Sequence, residues 1–403
     1  MSEVRAEPGL IGQRVRRVRE SQGKSLDVIG GLAGISGPYL SQLERGIRPL
    51  DRFSLILKIA NALGVPVTDL TSLPIPTPGN GKTDSAVEAV RRALTAVELD
   101  RPAGLIVPVE VLHDRVRAAQ RTRYAADFRK VGELLPSLIR DLHTTLNDGR
   151  NVAELLDLAV LVHVDLTCMW LRDASAHADL RRKAANIARQ LAHRRDEPTT
   201  LAVAAFGTAH TLLASGMPDL AQDELNSVSL PTGSAPGLAG ALLQQQGYAA
   251  TMVDDLGNAA AAMAEASDLA AVVGEIGLSP LGFAFGPLQI GIQGMNLHLE
   301  AGDAAAAAAL GRTLEPRAHP YATRQAAYHV NMGRALAKLR GAQDRALAAI
   351  CIVEELMPVR VRRNLYVRET IAELIQRSRR NAISRELREL AKRSGLDLLN
   401  SFG

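Results

Sequence analysis

The sequence predicts an all-α protein, and three features of its composition and pattern support this. Alanine and leucine dominate the 403 residues, and aromatic residues make up only 3%. Runs of β-branched residues, which favour strands, are short. Apolar residues recur instead at the three- and four-residue spacing of amphipathic helices. A chain of this length can form two or three domains, each with a core of its own.

Five short helices are predicted in the first 70 residues. The apolar residues that mark them are Ile11, Val15 and Val18; Leu26, Ile29, Leu32 and Ala33; Tyr39, Leu40 and Leu43; Phe53, Ile56, Leu57, Ala60 and Leu63; and Val67 and Leu70. Serines stand where helix N-caps belong and glycines where helices end, namely Ser25, Ser36, Gly23, Gly34, Gly46 and Gly64.

The third of these helices lies in the stretch GISGPYLSQLERG, residues 34–46, and begins with two poor helix formers. If Ser36 is the N-cap, Gly37 and Pro38 occupy the first two helical positions. Backbone N–H groups there have no partner inside the helix, so the missing N–H of proline costs little. A helix in the DNA major groove reads bases with residues near its N-terminus, and its dipole favours phosphate at that end. The stretch therefore suits a helix that reads DNA.

A linker is predicted at residues 71–83, because TSLPIPTPGNGKT contains three prolines and two glycines. It divides an N-terminal domain at 1–70 from a helical region at 84–403. That region is predicted to begin with helices at 84–99 and 110–147, and to end with a basic pair at 365–377 and 380–394.

Glycine-centred breaks divide the helical region into hairpins. They fall in ASGMPDLA, DDLGNAAA, LEAGDAAA and LRGAQDRA, roughly 40–45 residues apart. Each is followed by a small residue that would let paired helices approach closely, namely Ala221, Ala261, Ala307 and Ala346. A stacked array of helix hairpins is the expected architecture, since one hairpin cannot bury its apolar face alone.

Composition and motifs exclude several classes of protein. A formal net charge of +4 is only a weak pointer to nucleic acid at this length. The two cysteines, Cys168 and Cys351, suit a reducing cytoplasm, and neither a secretory signal nor an uninterrupted apolar span is visible. Zinc motifs, phosphate loops and nucleophile elbows are missing from the sequence. We therefore predict a cytoplasmic protein that is not an enzyme and has no cofactor or metal.

Residues 10–70 resemble the helix-turn-helix of the lambda-repressor-like, XRE-type regulators. The resemblance rests on IGQRVRRVRESQGKSL, AGIS, YLSQLERG and SLILKIANALGVPVTDL. It implies a turn at Gly34 and an ion pair between Arg19 and Glu44 that joins the first helix to the third. It also implies that four apolar residues are buried, namely Ile29, Ile35, Leu40 and Leu43. Two departures, Gly30 in place of alanine and Leu26 in place of a polar residue, suggest fewer phosphate contacts than is usual.

The same resemblance implies a set of DNA contacts. The predicted set is Arg14, Ser36, Gly37, Pro38, Tyr39, Ser41, Gln42, Arg45 and Arg48. Because Gly37 and Pro38 carry no polar side chain, Tyr39 and Gln42 would supply the direct readout, with Gln42 able to bridge N6 and N7 of adenine. The three arginines are assigned to phosphates.

The helical region resembles tetratricopeptide-like domains, especially as fused to helix-turn-helix units in the RRNPP group of peptide-sensing regulators. The best local matches are LGNAAAAMAEAS and AGDAAAAAALGRTL. First helices of such hairpins line a concave groove, so polar residues at helical spacing there are candidate ligand contacts. They are Gln244, Tyr248, Gln289, Gln293, Asn296, Arg324, Tyr328 and Asn331.

The amides among these candidates can bind a peptide backbone, and Arg324 could hold a carboxylate. A solvated helix face, or hydrogen bonds between helices, would explain the same pattern. A further stripe, His163, Thr167 and Trp170, is interpreted as core.

Together these features predict a transcriptional regulator that acts as a homodimer on double-stranded operator DNA. Its N-terminal domains would read two half-sites about 34 Å apart, under the control of a peptide or small signal molecule bound by the helical array. Two alternatives stay open. The array could bind a protein partner without any small ligand, or the chain could be a scaffold that does not bind DNA.

Overall fold

The computed structural model describes residues 10–71, 81–231, 233–275, 281–283, 285–378 and 383–396. The regular elements in these ranges are helices, which confirms the predicted all-α class.

The five predicted N-terminal helices are all present. They are α1 Leu10–Ser21, α2 Leu26–Leu32, α3 Gly37–Glu44, α4 Phe53–Leu63 and α5 Val67–Thr71. The predicted N-caps are confirmed, because the hydroxyl of Ser25 accepts from the backbone N–H of Val28 at 3.2 Å and that of Ser36 from Tyr39 at 3.3 Å. The four predicted terminal glycines have φ between 64° and 71°, a conformation that glycine adopts without steric cost.

The ion pair expected between α1 and α3 is confirmed. Arg19 donates from Nε and Nη2 to the two carboxylate oxygens of Glu44 at 2.6 and 2.7 Å, and Glu44 is almost fully buried. Of the four apolar residues expected in the core, only Ile35 is half-buried rather than buried. Because this bidentate ion pair is shielded from solvent, it fixes the angle between α1 and α3.

Close packing explains why glycine rather than alanine stands at position 30. A Cβ at this position would lie 2.9 Å from the backbone carbonyl oxygen of Ile35 and 3.1 Å from the backbone nitrogen of Gly37. Backbone atoms cannot move aside as a flexible side chain can, so α2 and the start of α3 approach each other too closely for alanine.

The remaining helices follow the predicted region. They are α6 Gly81–Glu98, α7 Val109–Tyr124, α8 Phe128–Asn147, α9 Val152–Leu161, α10 Met169–Asp173, α11 Ala178–Arg195, α12 Pro198–Ala214, α13 Pro218–Asn226, α14 Pro236–Met252, α15 Leu256–Val273, α16 Pro287–Glu300, α17 Ala304–Gly311, α18 Ala322–Lys338, α19 Gln343–Leu356, α20 Pro358–Arg363, α21 Leu365–Arg377 and α22 Arg385–Arg393.

All four predicted breaks separate helices, namely α12 from α13, α14 from α15, α16 from α17, and α18 from α19. At three of them the fourth residue of the second helix is the predicted alanine, fully buried at Ala221, Ala307 and Ala346. In α15 the prediction was wrong by two residues, since the fourth residue is the buried Ala259 and Ala261 is exposed. Asp255 caps α15, because its carboxylate accepts from the backbone N–H of Asn258 at 3.1 Å.

The helix predicted at 110–147 is two helices, α7 and α8. Ala126 between them has φ 63°, which interrupts the helix, and the carboxylate of Asp127 accepts from the backbone N–H of Lys130 at 3.1 Å to cap α8. The closing pair is confirmed for its first member, α21. The second member, α22, begins at Arg385, and residues 380–382 of its predicted span lie outside the described residues.

A π-helical turn, Val162–Cys168, joins α9 to α10. The hydroxyl of Thr167 donates to the carbonyl of Val162 at 2.9 Å, and the indole of Trp170 donates to the carbonyl of Phe128 at 2.8 Å. His163, Thr167 and Trp170 are all buried, so their interpretation as core is confirmed.

The chain divides into two compact units. The first comprises Met1–Pro78, Gly294–Leu314 and Ala326–Gly403, and the second comprises Gly79–Gln293 and Glu315–Gln325. The predicted division into 1–70, 71–83 and 84–403 stays a prediction. Of the predicted linker, residues 72–80 lie outside the described residues, while residues 81–83 belong to α6.

Candidate nucleic-acid interface

The first turn of α3 is built as the sequence predicts. Ser36 has an extended backbone (φ −76°, ψ 149°) and caps the helix, and Pro38 stands within its first two positions. Because backbone N–H groups at these positions have no acceptor inside the helix, proline removes no helical hydrogen bond. Gly37 and Pro38 therefore begin α3 without weakening it.

Most of the predicted DNA contacts lie on the accessible side of α3 and its flank. Ser36, Pro38, Arg45 and Arg48 are exposed, and Tyr39, Ser41 and Gln42 are half-buried. On the opposite side of the same helix, Leu40 and Leu43 are fully buried. The amphipathic pattern thus fixes which side chains can meet a partner.

Arg48 lies beside the two proposed reading residues. Its guanidinium carbon is 5.3 Å from the ring centroid of Tyr39, within the range of a cation–π contact. Its backbone N–H donates to the carbonyl of Gln42 at 3.3 Å. Arg45 is held against α3 by a hydrogen bond from Nε to the carbonyl of Ser41 at 3.2 Å. This places two positive charges next to Tyr39 and Gln42.

Two predicted contacts need correction. Gly37 is buried, and a Cβ there would lie 2.0 Å from the carboxylate oxygen Oδ1 of Asp27, so it faces α2 rather than a groove. Arg14 is half-buried, and its Nη1 donates to the carbonyl of Leu70 at 2.8 Å. Burial lowers the pKa of Arg14, and Arg17 acts in the same direction. Both residues are engaged in packing, which argues against the DNA contacts assigned to them.

The N-terminus of α4 is capped from a distant part of the first unit. Its N-cap residue, Arg52, makes no side-chain cap. Instead a carboxylate oxygen of Glu300, at the end of α16, accepts from the backbone N–H of Ser54 at 3.2 Å and lies 3.3 Å from its hydroxyl. A carboxylate at this end of a helix satisfies an unpaired N–H group and interacts favourably with the dipole.

Asp51, just before α4, is held by two cations of α18. Arg334 donates from Nη2 to the carbonyl of Asp51 at 2.8 Å, and Nζ of Lys338 lies 2.7 Å from its carboxylate. Arg334 also lies 3.8 Å from Glu300, and Lys338 lies 3.3 Å from Glu373 of α21. Asp51, Glu300, Arg334 and Glu373 are each no more than 5% exposed. We call these four residues and Lys338 the buried ion network.

The N-terminus of α1 has a similar distant partner. The carboxylate of Glu369 in α21 accepts from the backbone N–H of Ile11 at 3.4 Å, and Glu369 is 3% exposed. Burial raises the pKa of Glu369 to about 7. Two helices of the N-terminal bundle thus receive a cap from the C-terminal part of the same unit.

The sequence analysis missed these carboxylates, although a signal for them exists. Glu300 is the only carboxylate in PLQIGIQGMNLHLE, the sequence of α16. A lone charge in an otherwise uncharged helix indicates a buried partner, since an unpaired buried charge is costly. The pattern does not say which residue that partner is.

The predicted ligand contacts are divided between the two units. Gln244, Tyr248, Gln289, Gln293 and Arg324 belong to the second unit, whereas Asn296, Tyr328 and Asn331 belong to the first. Gln289 donates to the side-chain oxygen of Gln244 at 3.3 Å, and Arg334 donates to that of Asn296 at 3.3 Å. For these residues, hydrogen bonds between helices account for the polar pattern. Their role in ligand binding stays a prediction.

None of the described helices is long and apolar enough to cross a membrane. In the same residues, no group of three or more His, Cys, Asp or Glu side chains is placed to hold a metal ion.

Comparisons with known proteins concern about a fifth of the chain. Residues 10–73 match a family model described as a helix-turn-helix domain. The HTH-type transcriptional regulator SinR of Bacillus subtilis (strain 168) is 33% identical over 88 residues, which are 22% of this chain and 79% of the relative. SinR of Bacillus licheniformis is 31% identical over 83 residues, which are 21% of this chain and 75% of the relative. No solved structure matches the chain.

Proposed function

Because this chain belongs to the XRE-type helix-turn-helix transcriptional regulators, we propose that it binds its operator with the front of α3 in the major groove. The observation that carries the proposal is the arrangement of α3 itself. Tyr39 and Gln42 are accessible on a helix whose other side is fixed in the core, and the Arg19–Glu44 pair sets its angle to α1.

In this proposal Gln42 reads a base and the arginines position the helix. The amide of Gln42 has the donor and acceptor that match N7 and N6 of adenine. Tyr39 has a ring for contact with a thymine methyl or sugar and a hydroxyl for hydrogen bonding. Arg45 and Arg48 are exposed cations at the end of α3, a position suited to phosphates that flank the groove.

The test begins with DNA selected from a random pool by the full chain, followed by fluorescence anisotropy at several salt concentrations. Gln42→Ala should cost about 1–3 kcal/mol of discrimination at one base pair. Arg45→Ala should weaken all sites alike and reduce the salt dependence by about one phosphate contact. Arg16→Ala is the matched control, because Arg16 is exposed on α1 and paired with Glu20.

Two outcomes would contradict these roles. An unchanged base preference in Gln42→Ala would remove Gln42 from the readout. A loss confined to particular sequences in Arg45→Ala would mean that Arg45 contacts a base rather than a phosphate. A wild-type chain that selects no sequence and shows little salt dependence would favour the scaffold alternative.

We further propose that the regulator is a homodimer and that its helical region forms a tetratricopeptide-like array that responds to a peptide or small signal molecule, as in the RRNPP group. Support comes from the repeated helix pairs with buried alanines at their fourth positions. The buried ion network offers a route for such a response, because it ties α16, α18 and α21 to α4. A shift of these helices would move the N-terminal helices with them.

Sedimentation of the chain with and without operator DNA tests the dimer. A homodimer predicts two half-sites whose centres are one or more helical turns apart, and a single half-site bound by a monomer would contradict it. Thermal unfolding in the presence of culture extract or candidate peptides tests effector binding, since a ligand that binds the native state raises Tm.

A second candidate, a regulator whose helical region binds a protein partner, is favoured by exposed apolar residues of the second unit. In and beside α13 and α15 these are Leu220, Val253, Leu256 and Val272. Exposed apolar side chains at protein surfaces can mark interaction sites. Loss of a co-purified partner on Leu256→Ser, with no effector response in the wild type, would favour this candidate.

A further inference from the structure

The second unit contains a group of buried and half-buried arginines that outnumber the carboxylates near them. We call Arg123 of α7, Arg172 of α10, Arg181 of α11 and Arg324 of α18 the arginine cluster. Asp165 and Asp173 are the carboxylates that act on them. Guanidinium groups stay protonated in proteins, so four positive charges face two negative ones.

Two of the arginines are paired. Arg123 is 7% exposed and donates from Nη2 to the carboxylate of Asp165, which also accepts from the side-chain amide of Gln120 at 3.1 Å. Arg172 donates from Nε and Nη2 to Asp173 at 3.2 and 3.1 Å. These direct contacts engage both carboxylates, which act on Arg181 and Arg324 only from a longer distance.

Arg181 and Arg324 have no ion pair within the part of the chain that the structure describes. Their Nε atoms are shielded from solvent without a hydrogen-bond partner, and so are Nε of Arg123 and Nδ1 of His210 in α12. Buried polar nitrogen atoms of this kind cost free energy when they stay unpaired. Arg181, Arg324 and His210 are nevertheless half-buried and keep part of their surface exposed.

The electrostatic effects show that the arginines act on one another. Burial lowers the pKa of Arg324, and Arg123 and Arg172 lower it further, while Tyr124 acts in the opposite direction. Burial likewise lowers the pKa of Arg181, with Arg172 acting in the same direction. Burial also lowers the pKa of His210 to about 3, with further effects from Arg172 and Arg181. Like charges held together at low dielectric destabilise the unit unless an anion joins them.

We propose that the arginine cluster is a binding site for an anionic ligand, and that Arg172, Arg181 and Arg324 hold a carboxylate or phosphate group of that ligand. The proposal rests on the proposed function, in which the helical region binds an effector, and it names the chemical class of that effector. Planar guanidinium groups bind such oxyanions with two parallel hydrogen bonds. An oxyanion would supply partners for the unpaired donors and balance the excess charge.

Thermal unfolding of the full chain tests the site. It is measured in increasing sodium phosphate, in sodium acetate, and in sodium chloride at matched ionic strength. We expect a saturable rise in Tm with at least one oxyanion and none with chloride. A rise with phosphate alone would identify a phosphorylated ligand, and a rise with acetate would identify a carboxylate.

Charge-removing variants then locate the site. Arg324→Met should weaken binding of the oxyanion at least about tenfold, because two charged hydrogen bonds are lost. Without the oxyanion the same variant should unfold at a higher temperature than the wild type, because repulsion within the cluster is relieved. Arg181→Met should act in the same way. Arg182→Met is the matched control, since Arg182 is paired with Asp179 at the surface and should retain the wild-type response.

The proposal is overturned if no oxyanion produces a saturable shift. It is also overturned if Arg324→Met and Arg181→Met both lower Tm and keep the response. DNA affinity measured with and without saturating oxyanion separates this site from the proposed function. Oxyanion binding that leaves DNA affinity unchanged would support the site and refute effector control. If the chain binds its operator but shows no response to any oxyanion, the anion site is refuted and the proposed DNA binding is not.

Discussion

Replacing Arg334 with methionine should destabilise the first unit strongly, because Arg334 lies between two buried carboxylates. It is 3% exposed and lies 3.8 Å from the carboxylate of Glu300 and 4.0 Å from that of Asp51. It also contacts the face of Tyr366, with 4.6 Å between its guanidinium carbon and the ring centroid. Methionine would fill much of the volume but leave Asp51 with Lys338 alone and Glu300 without an ion-pair partner among the described residues.

The size of the effect follows from the cost of an unpaired buried charge. Removing one partner of a buried ion pair costs about 3–5 kcal/mol. Lys338 stays 2.7 Å from Asp51, so we expect the lower end of this range. At about 2–4 °C per kcal/mol for a unit of this size, a loss of about 3 kcal/mol lowers Tm by about 6–12 °C. Arg340→Met, an exposed control beyond α18, should change stability by less than about 0.5 kcal/mol.

Hydrogen exchange at the first amides of α4, combined with thermal unfolding, provides the assay. Exchange at Ser54 should accelerate in Arg334→Met, because the Glu300 cap loses its support. Adding Glu300→Gln should recover part of the loss, since the uncompensated charge is removed while an amide oxygen can still accept from Ser54. We expect the double variant to differ from the sum of the two single-variant changes in unfolding free energy by about 0.5–3 kcal/mol. Additive effects, or an Arg334→Met chain as stable as the wild type, would refute the reasoning.

Three further predictions concern the N-terminal helices. Because burial raises the pKa of Glu369 from 4.5 to about 7, the native state binds this proton more tightly than the unfolded chain. Stability should therefore fall by up to about 3 kcal/mol as pH rises through this window, and urea midpoints of Glu369→Gln at pH 5 and 8 should lack this dependence. Gly30→Ala should lower the free energy of unfolding, measured with denaturant, by about 1–3 kcal/mol, because its Cβ would meet a backbone carbonyl oxygen. Gly31→Ala is the control and should be neutral or stabilising, since a Cβ there meets nothing within 4 Å. Glu44→Gln should cost about 2 kcal/mol by weakening the bond to Arg19, and an unaltered Tm would contradict that role.

Local features of the fold could be predicted from the sequence because their causes are local. Ser25 and Ser36 cap helices through N–H groups three residues away, and glycines end helices through their own φ. The single helix predicted at 110–147 was wrong, because the break between α7 and α8 has no local signal. Nothing in the residue type of Ala126 favours a positive φ, so the break depends on how α7 and α8 pack.

The distant contacts could not be predicted. Ser54 and Glu300 are 246 residues apart in the sequence, and Ile11 and Glu369 are 358 apart. Periodicity identifies which face of a helix is buried but not which helix covers it. The polar residues of α16 show the same limit, because a stripe that suits a ligand groove equally suits a hydrogen bond such as Gln289 to Gln244.

The two carboxylate caps have a consequence for biosynthesis. The ribosome completes α1 and α4 long before it reaches Glu300 and Glu369, so these helices emerge from the exit tunnel with their first amides unpaired. A nascent or prematurely terminated chain would carry the helix-turn-helix bundle without these two caps. Only translation through α21 supplies both.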